Sequence, residues 1–168
     1  MTEHGNGHLA ESVPTILVVD DEATITRLCK VILERSGFTV LEATGSSEAL
    51  KICTRYPKRI DLLLADLVLP PPHFQVAPIA NPFPHVNGHD LAMRASVLRK
   101  GLRIILMSGN PDKELVSHGI RRGTLPFIAK PFEGEYLVSL VERILKQPAP
   151  ILAAEKLDNT ANDSRWFG

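Results

Sequence analysis

Residues 60–70, IDLLLADLVLP, constrain the fold more than any other stretch of the chain. An almost unbroken apolar run of this length suits a strand buried on both faces, and it ends by presenting one carboxylate, Asp66. A lone buried carboxylate is costly, so one is retained at a strand's carboxyl end mainly where a cation, a helix terminus or a chemical task compensates it. Considered by itself, Asp66 could equally cap the next turn. The rest of the chain decides between the two.

Read in order, the folded part opens with Thr15 to Val19, a short β-branched run that ends in Asp20, Asp21 and Glu22. Ile25, Leu28, Cys29, Ile32 and Leu33 then recur at helical spacing up to Gly37. Phe38 to Leu41 reads as a second strand, and Thr44-Gly45-Ser46 as a turn and N-cap into a helix with Ala49, Leu50 and Cys53 inward. After the Asp66 strand come a helix from about His89 to Arg99 and the apolar strand Arg103 to Met107, which ends at Ser108 and Gly109. Pro111 opens a polar helix expected to run to Arg122, Pro126 to Ala129 makes a last strand, and Glu133 to Lys146 a last helix. Strands thus alternate with helices, which predicts an α/β fold: a parallel sheet of five strands with helices on both faces.

In such sheets chemistry sits beyond the carboxyl ends of the strands. Asp20 and Asp21 follow the first strand, Asp66 ends the third, Ser108 the fourth and Lys130 the fifth, so all five are expected at one rim. Three carboxylates sharing a pocket repel one another and call for a hard divalent cation. Mg²⁺ suits such a set, with several waters and a phosphate oxygen completing its octahedron. Asp66 could then attack a phosphoryl group to give an aspartyl phosphate, with Ser108 donating to one phosphoryl oxygen and Lys130 pairing with another.

The pieces VVDDE at 18–22, DLLLAD ending at Asp66 with Pro70 behind it, MSG at 107–109 and FIAKPF at 127–132 resemble, in this order, the response-regulator receiver domain of bacterial two-component signalling. The resemblance covers residues 14–146. It implies a flavodoxin-like doubly wound sheet in the order 2-1-3-4-5, with Asp66 as phosphoacceptor. It implies Mg²⁺ held by Asp20, Asp21, Asp66 and the backbone carbonyl of Val68, and phosphoryl contacts from Ser108 and Lys130. It also implies a cis peptide before Pro131 and a switch in which Phe127 follows the Ser108 hydroxyl inward. The implied partners are a sensor histidine kinase or histidine phosphotransfer protein and a downstream protein target, with a homodimer through the last helices left open.

Composition narrows the remainder. Lys and Arg together number 19 and Asp and Glu 19, so no net charge advertises a nucleic-acid or anionic-membrane partner. Cys29 and Cys53 fall in helical patterns and read as small buried apolar residues. No apolar run approaches the roughly 20 residues that span a bilayer, and no secretory leader is evident, so a cytoplasmic protein is expected. Residues 1–13 are expected to be a disordered lead-in. Residues 147–168, closing on Trp166 and Phe167, read as a tail too short for an output domain, which makes a stand-alone receiver the expectation.

The chain departs from the family pattern at about residues 71–86, where the loop after the third strand is longer by more than ten residues before the matching Gly88. Pro70, Pro71, Pro72, Pro78, Pro82 and Pro84 exclude helix there, while Phe74, Val76, Ile79 and Phe83 are too apolar for a solvated linker. A lid beside Asp66, a docking surface and a neutral insertion all remain open. His73 and His85 lack a neighbouring acid or thiol and are not read as a metal site.

Two other classes compete. A metal-dependent phosphohydrolase working through an aspartyl phosphate would want a general acid two residues after Asp66, where this chain has Val68. The expectation is therefore a phosphoacceptor and not a turnover enzyme. A pseudo-receiver or flavodoxin-like binding module fits less well, because the acidic set is complete and no Gly-rich phosphate loop follows the first strand.

Overall fold

A computed structural model describes residues 12–71, 86–121 and 123–151. The lead-in through residue 11, the greater part of the proline-rich run with His73 and His85, and the closing Trp166 and Phe167 lie outside the described residues. The elements are β1 (Thr15–Val19), α1 (Ala23–Arg35), β2 (Thr39–Ala43), α2 (Ser46–Arg55), β3 (Leu62–Asp66), α3 (Gly88–Leu98), β4 (Arg103–Ser108), α4 (Pro111–Ser117), β5 (Phe127–Ala129) and α5 (Gly134–Leu145). All pairings are parallel and the strand order is β2-β1-β3-β4-β5.

Alternation along the strands sorts the apolar side chains onto two faces. Ile16, Val18, Leu62, Leu64, Ile105 and Met107 meet Cys29 and Leu33 of α1 and Leu137, Leu140, Val141 and Ile144 of α5. Leu17, Val19, Leu63, Ala65, Ile104 and Leu106 face the other way, onto Ala49, Leu50 and Cys53 of α2, Leu91, Ala92 and Ala95 of α3, and Leu115 of α4. Central β3 is buried along its whole length because helices cover it from both sides. Both cysteines are free and buried, as the pattern predicts, and burial pushes the Cys29 thiol up to about 12 and the Cys53 thiol up to about 11. Both are therefore held as protonated thiols, and the thiolate is the nucleophilic form.

Element boundaries follow the capping chemistry. Past α1, Gly37 takes φ +91°, its N–H donates to the Glu34 carbonyl and the Phe38 N–H donates to the Leu33 carbonyl, a Schellman stop. The same motif corrects the expected length of α4. That helix ends at Ser117 and not at Arg122, because Gly119 adopts φ +65° and the N–H groups of Gly119 and Ile120 turn back to the carbonyls of Val116 and Leu115. Ile120 packs on the core that holds Leu115, which completes the stop with an apolar contact. β2 also lies slightly later than expected, at Thr39–Ala43, since its register against β1 runs from Thr15↔Thr39 to Val19↔Ala43.

One close approach fixes the site end of the sheet. The N–H of Gly88 donates to the Leu67 carbonyl at 3.0 Å, so the chain that leaves β3 returns to the same spot to start α3. A Cβ at position 88 would lie 1.9 Å from the Asp66 carbonyl oxygen, a contact no side chain survives. Asn87 caps α3, its side-chain oxygen accepting from the Asp90 N–H at 2.8 Å. Among the described residues, no helix is long and apolar enough to cross a membrane.

Candidate functional site

Parallel strands carry their last residues to a common edge, and here that edge bears the charge. Asp66 is the final residue of β3, and its carboxylate is nearly buried, at 5% exposure for the residue. One carboxylate oxygen accepts the Val68 N–H at 3.1 Å and the other accepts from Lys130 Nζ at 2.8 Å. Asp20, just past β1, is wholly buried. It accepts the Glu22 N–H at 2.9 Å through one oxygen and Lys130 Nζ at 3.0 Å through the other. Lys130 reaches both from the end of β5, where its N–H is bonded to the Ser108 carbonyl at 2.7 Å. Its peptide bond to Pro131 is cis, as the resemblance implies.

Asp21 is exposed beside them, and Asp20, Asp21 and Asp66 each offer a carboxylate oxygen within 4.8 Å of the others. One ammonium among three carboxylates leaves an excess of two negative charges. Asp66 and Lys130 both titrate away from their ordinary values. Burial raises the Asp66 carboxyl above its ordinary value and the Asp20 charge adds to it, against the opposing hydrogen bonds from Lys130 and the Val68 N–H. Burial alone would depress Lys130, but its bonds to Asp66 and Asp20 outweigh that and hold it above the usual lysine range. The hard oxygen donors and the uncompensated charge together fit a divalent cation of the Mg²⁺ type.

Asp21 and Asp66 open on a pocket of about 500 Å³ whose walls also include Glu22, Val68, Glu114 and Lys130. Val68 stands at its mouth, 42% exposed. Of the five residues expected at one rim, Asp20, Asp21, Asp66 and Lys130 converge. Ser108 ends the neighbouring strand and is almost fully buried, but its hydroxyl donates to the carboxylate of Glu114 on α4. Phe127 is half-buried and packs on the core face shared by Leu106 and Leu115.

Glu114 is the residue that sequence reasoning missed. Its only local signal is an acidic side chain in the first turn of a helix that starts three residues after a strand-end hydroxyl. Its bond to Ser108 depends on where the first turn of α4 sits after β4, which no local pattern encodes.

The family model described as Response regulator receiver domain matches residues 16–73, stopping where the proline-rich run begins to lengthen the loop. Among curated relatives, the phosphate regulon transcriptional regulatory protein PhoB of Pseudomonas aeruginosa is 29% identical over 138 residues, covering 81% of this chain and 53% of that protein. Sporulation initiation phosphotransferase F of Bacillus subtilis is 25% identical over 130 residues, covering 77% of this chain and 92% of that protein. The chain thus spans about half the length of the first and nearly all of the second. Among solved structures, a CheY-like response regulator receiver domain protein from Methanospirillum hungatei superposes with a TM-score of 0.60 at 25% identity, covering 80% of this chain and 94% of that chain.

Proposed function

The chain belongs to the response-regulator receiver family, and from that premise we propose that residues 14–146 form a unit that accepts a phosphoryl group on Asp66. The donor is the phosphohistidine of a sensor histidine kinase or of a histidine phosphotransfer protein. A carboxylate oxygen of Asp66 forms the new O–P bond, the P–N bond to the donor breaks, and its electron pair returns to the imidazole. The single observation that carries the reading is Asp66 at the end of β3, hydrogen-bonded to Lys130 Nζ and beside Asp20, on an open pocket.

Asp20, Asp21, Asp66 and the carbonyl of Val68 would hold Mg²⁺, which supplies positive charge for the phosphoryl oxygens. The chain's own groups do the rest. Lys130 exchanges a carboxylate partner for a phosphoryl oxygen, keeping an anionic acceptor throughout. The Ser108 hydroxyl donates a hydrogen bond to a second phosphoryl oxygen, and Phe127 follows it, altering the face made by α4, β5 and α5 for a downstream protein in the cytoplasm. Val68, an apolar residue where a hydrolase would place its acid, supports a signalling acceptor over a phosphatase.

The test is incubation with a small acyl-phosphate donor and Mg²⁺, read by intact mass. The wild-type protein gains one phosphoryl group and Asp66→Asn gains none. An equal gain in both would remove Asp66 from the role.

A further inference from the structure

We propose that Glu114 is a positioning residue that holds the Ser108 hydroxyl away from the phosphoryl site, so that its carboxylate competes with the incoming phosphoryl group for one proton. The inference rests on the reading of Asp66 as phosphoacceptor and adds to it a specific opposing contact.

Ser108 is 1% exposed, so its hydroxyl has no recourse to solvent, and its proton goes to the Glu114 carboxylate. A serine hydroxyl carries a single donor. It can serve Glu114 or a phosphoryl oxygen, and one bond must break before the other forms. The bond to Glu114 is charge-assisted and partly buried, and such bonds are worth more than neutral ones. Glu114 also faces the same pocket as Asp66 and Lys130, where it adds negative charge to a space a phosphoryl group must enter.

The same residue ties the site to α4. Its backbone lies in the helix's first turn, the N–H donating to the Asn110 carbonyl and the carbonyl accepting from the His118 N–H. Ser108, by contrast, is fixed in β4 opposite Ala129. The side-chain bond is therefore a strut from the sheet edge to α4, and turning the Ser108 hydroxyl to donate a hydrogen bond to a phosphoryl oxygen removes it. Glu114 sets how much of the phosphoryl-binding energy is spent on release of the helix.

The experiment is a calorimetric titration of the whole chain with beryllofluoride in Mg²⁺, a tetrahedral stand-in for the phosphoryl group. It is run on wild type, Glu114→Ala, Glu114→Gln, Ser108→Ala and the Ser108→Ala/Glu114→Ala pair, with Asp66→Asn as control. Glu114→Ala is expected to tighten binding by about tenfold, the scale of a hydrogen bond to a charged group. Glu114→Gln keeps an acceptor without the charge, holds the shape of the site, and should tighten by about threefold. In the Ser108→Ala background the Glu114→Ala gain should fall to about twofold, the residue of simple charge repulsion.

A gain of equal size in both serine backgrounds would overturn the latch, since it would mean that Glu114 acts only by its charge or by loosening α4. Unchanged or weaker binding in Glu114→Ala and Glu114→Gln would overturn it as well. Binding that survives Asp66→Asn would instead defeat the phosphoacceptor reading, and the latch with it. Binding that needs Asp66 but ignores Glu114 defeats the latch alone.

Discussion

Gly88→Ala is expected to lose about 3 kcal/mol or more of folding stability, enough to lower the thermal midpoint of a domain this size by roughly 10 °C. The cause is backbone and not side chain. The added methyl would sit 1.9 Å from the Asp66 carbonyl oxygen and 2.8 Å from both the Asp66 carbonyl carbon and the Leu67 Cα, none of which can swing aside. Relief requires α3 to move off β3. That would break the Gly88 to Leu67 hydrogen bond and shift the strand end that carries Asp66. Urea unfolding of the variant beside Gly45→Ala checks this directly, because a Cβ at Gly45 meets nothing within 4 Å and that change should cost no more than about 1 kcal/mol. Equal stabilities for the two variants would mean that α3 does not dock as described.

Lys130→Met should also destabilise the protein by about 3 kcal/mol or more when Mg²⁺ is absent. The methionine keeps the bulk of the aliphatic stem but strands Asp20, which is wholly buried, and Asp66 without their shared cation. Two carboxylates facing each other unpaired in a protected site repel and must either draw protons or open the edge of the sheet. Millimolar Mg²⁺ should restore part of the loss, since the ion replaces the missing charge and binds only the folded state. Asp66→Asn in the same background should restore part of it without any ion. Thermal unfolding in chelator, then in Mg²⁺, separates these outcomes. A variant as stable as the wild type in chelator would show that Lys130 is not the cluster's counter-charge.

Most of the site was legible because its signals are local and repeated. β1, β3, β4 and β5 each announce themselves as a short apolar run, and each of these runs leads to a residue expected at the rim: Asp20 and Asp21, Asp66, Ser108, Lys130. Parallel topology then does the assembly without further instruction, since every carboxyl end points the same way. The strand order came through the family resemblance, because the apolar runs alone are compatible with several orders.

What was not legible depends on geometry that only the folded chain supplies. Gly37 and Gly119 end their helices by the same left-handed turn, yet only Gly37 read as a stop. Gly37 is followed by a β-branched run that forces a change of period, whereas Gly119 is followed by Ile120 and two arginines that continue an amphipathic pattern. The partnership of Ser108 and Glu114 escaped for a related reason. A hydroxyl at a strand end reads as facing the pocket, and the shortened α4 decides which acceptor it meets.

The central claim is that Asp66, and no other acid at this edge, carries the phosphoryl group. The most direct measurement is reduction of the phosphorylated protein with borohydride, which converts an aspartyl phosphate to homoserine, followed by sequencing of the tryptic peptides by mass. The peptide of residues 60–94 should carry homoserine at Asp66, only when donor and Mg²⁺ are both supplied, with Asp61 and Asp90 of the same peptide unchanged. Homoserine at Asp20 or Asp21, or none at Asp66 in a sample whose intact mass had risen by one phosphoryl group, would contradict the account.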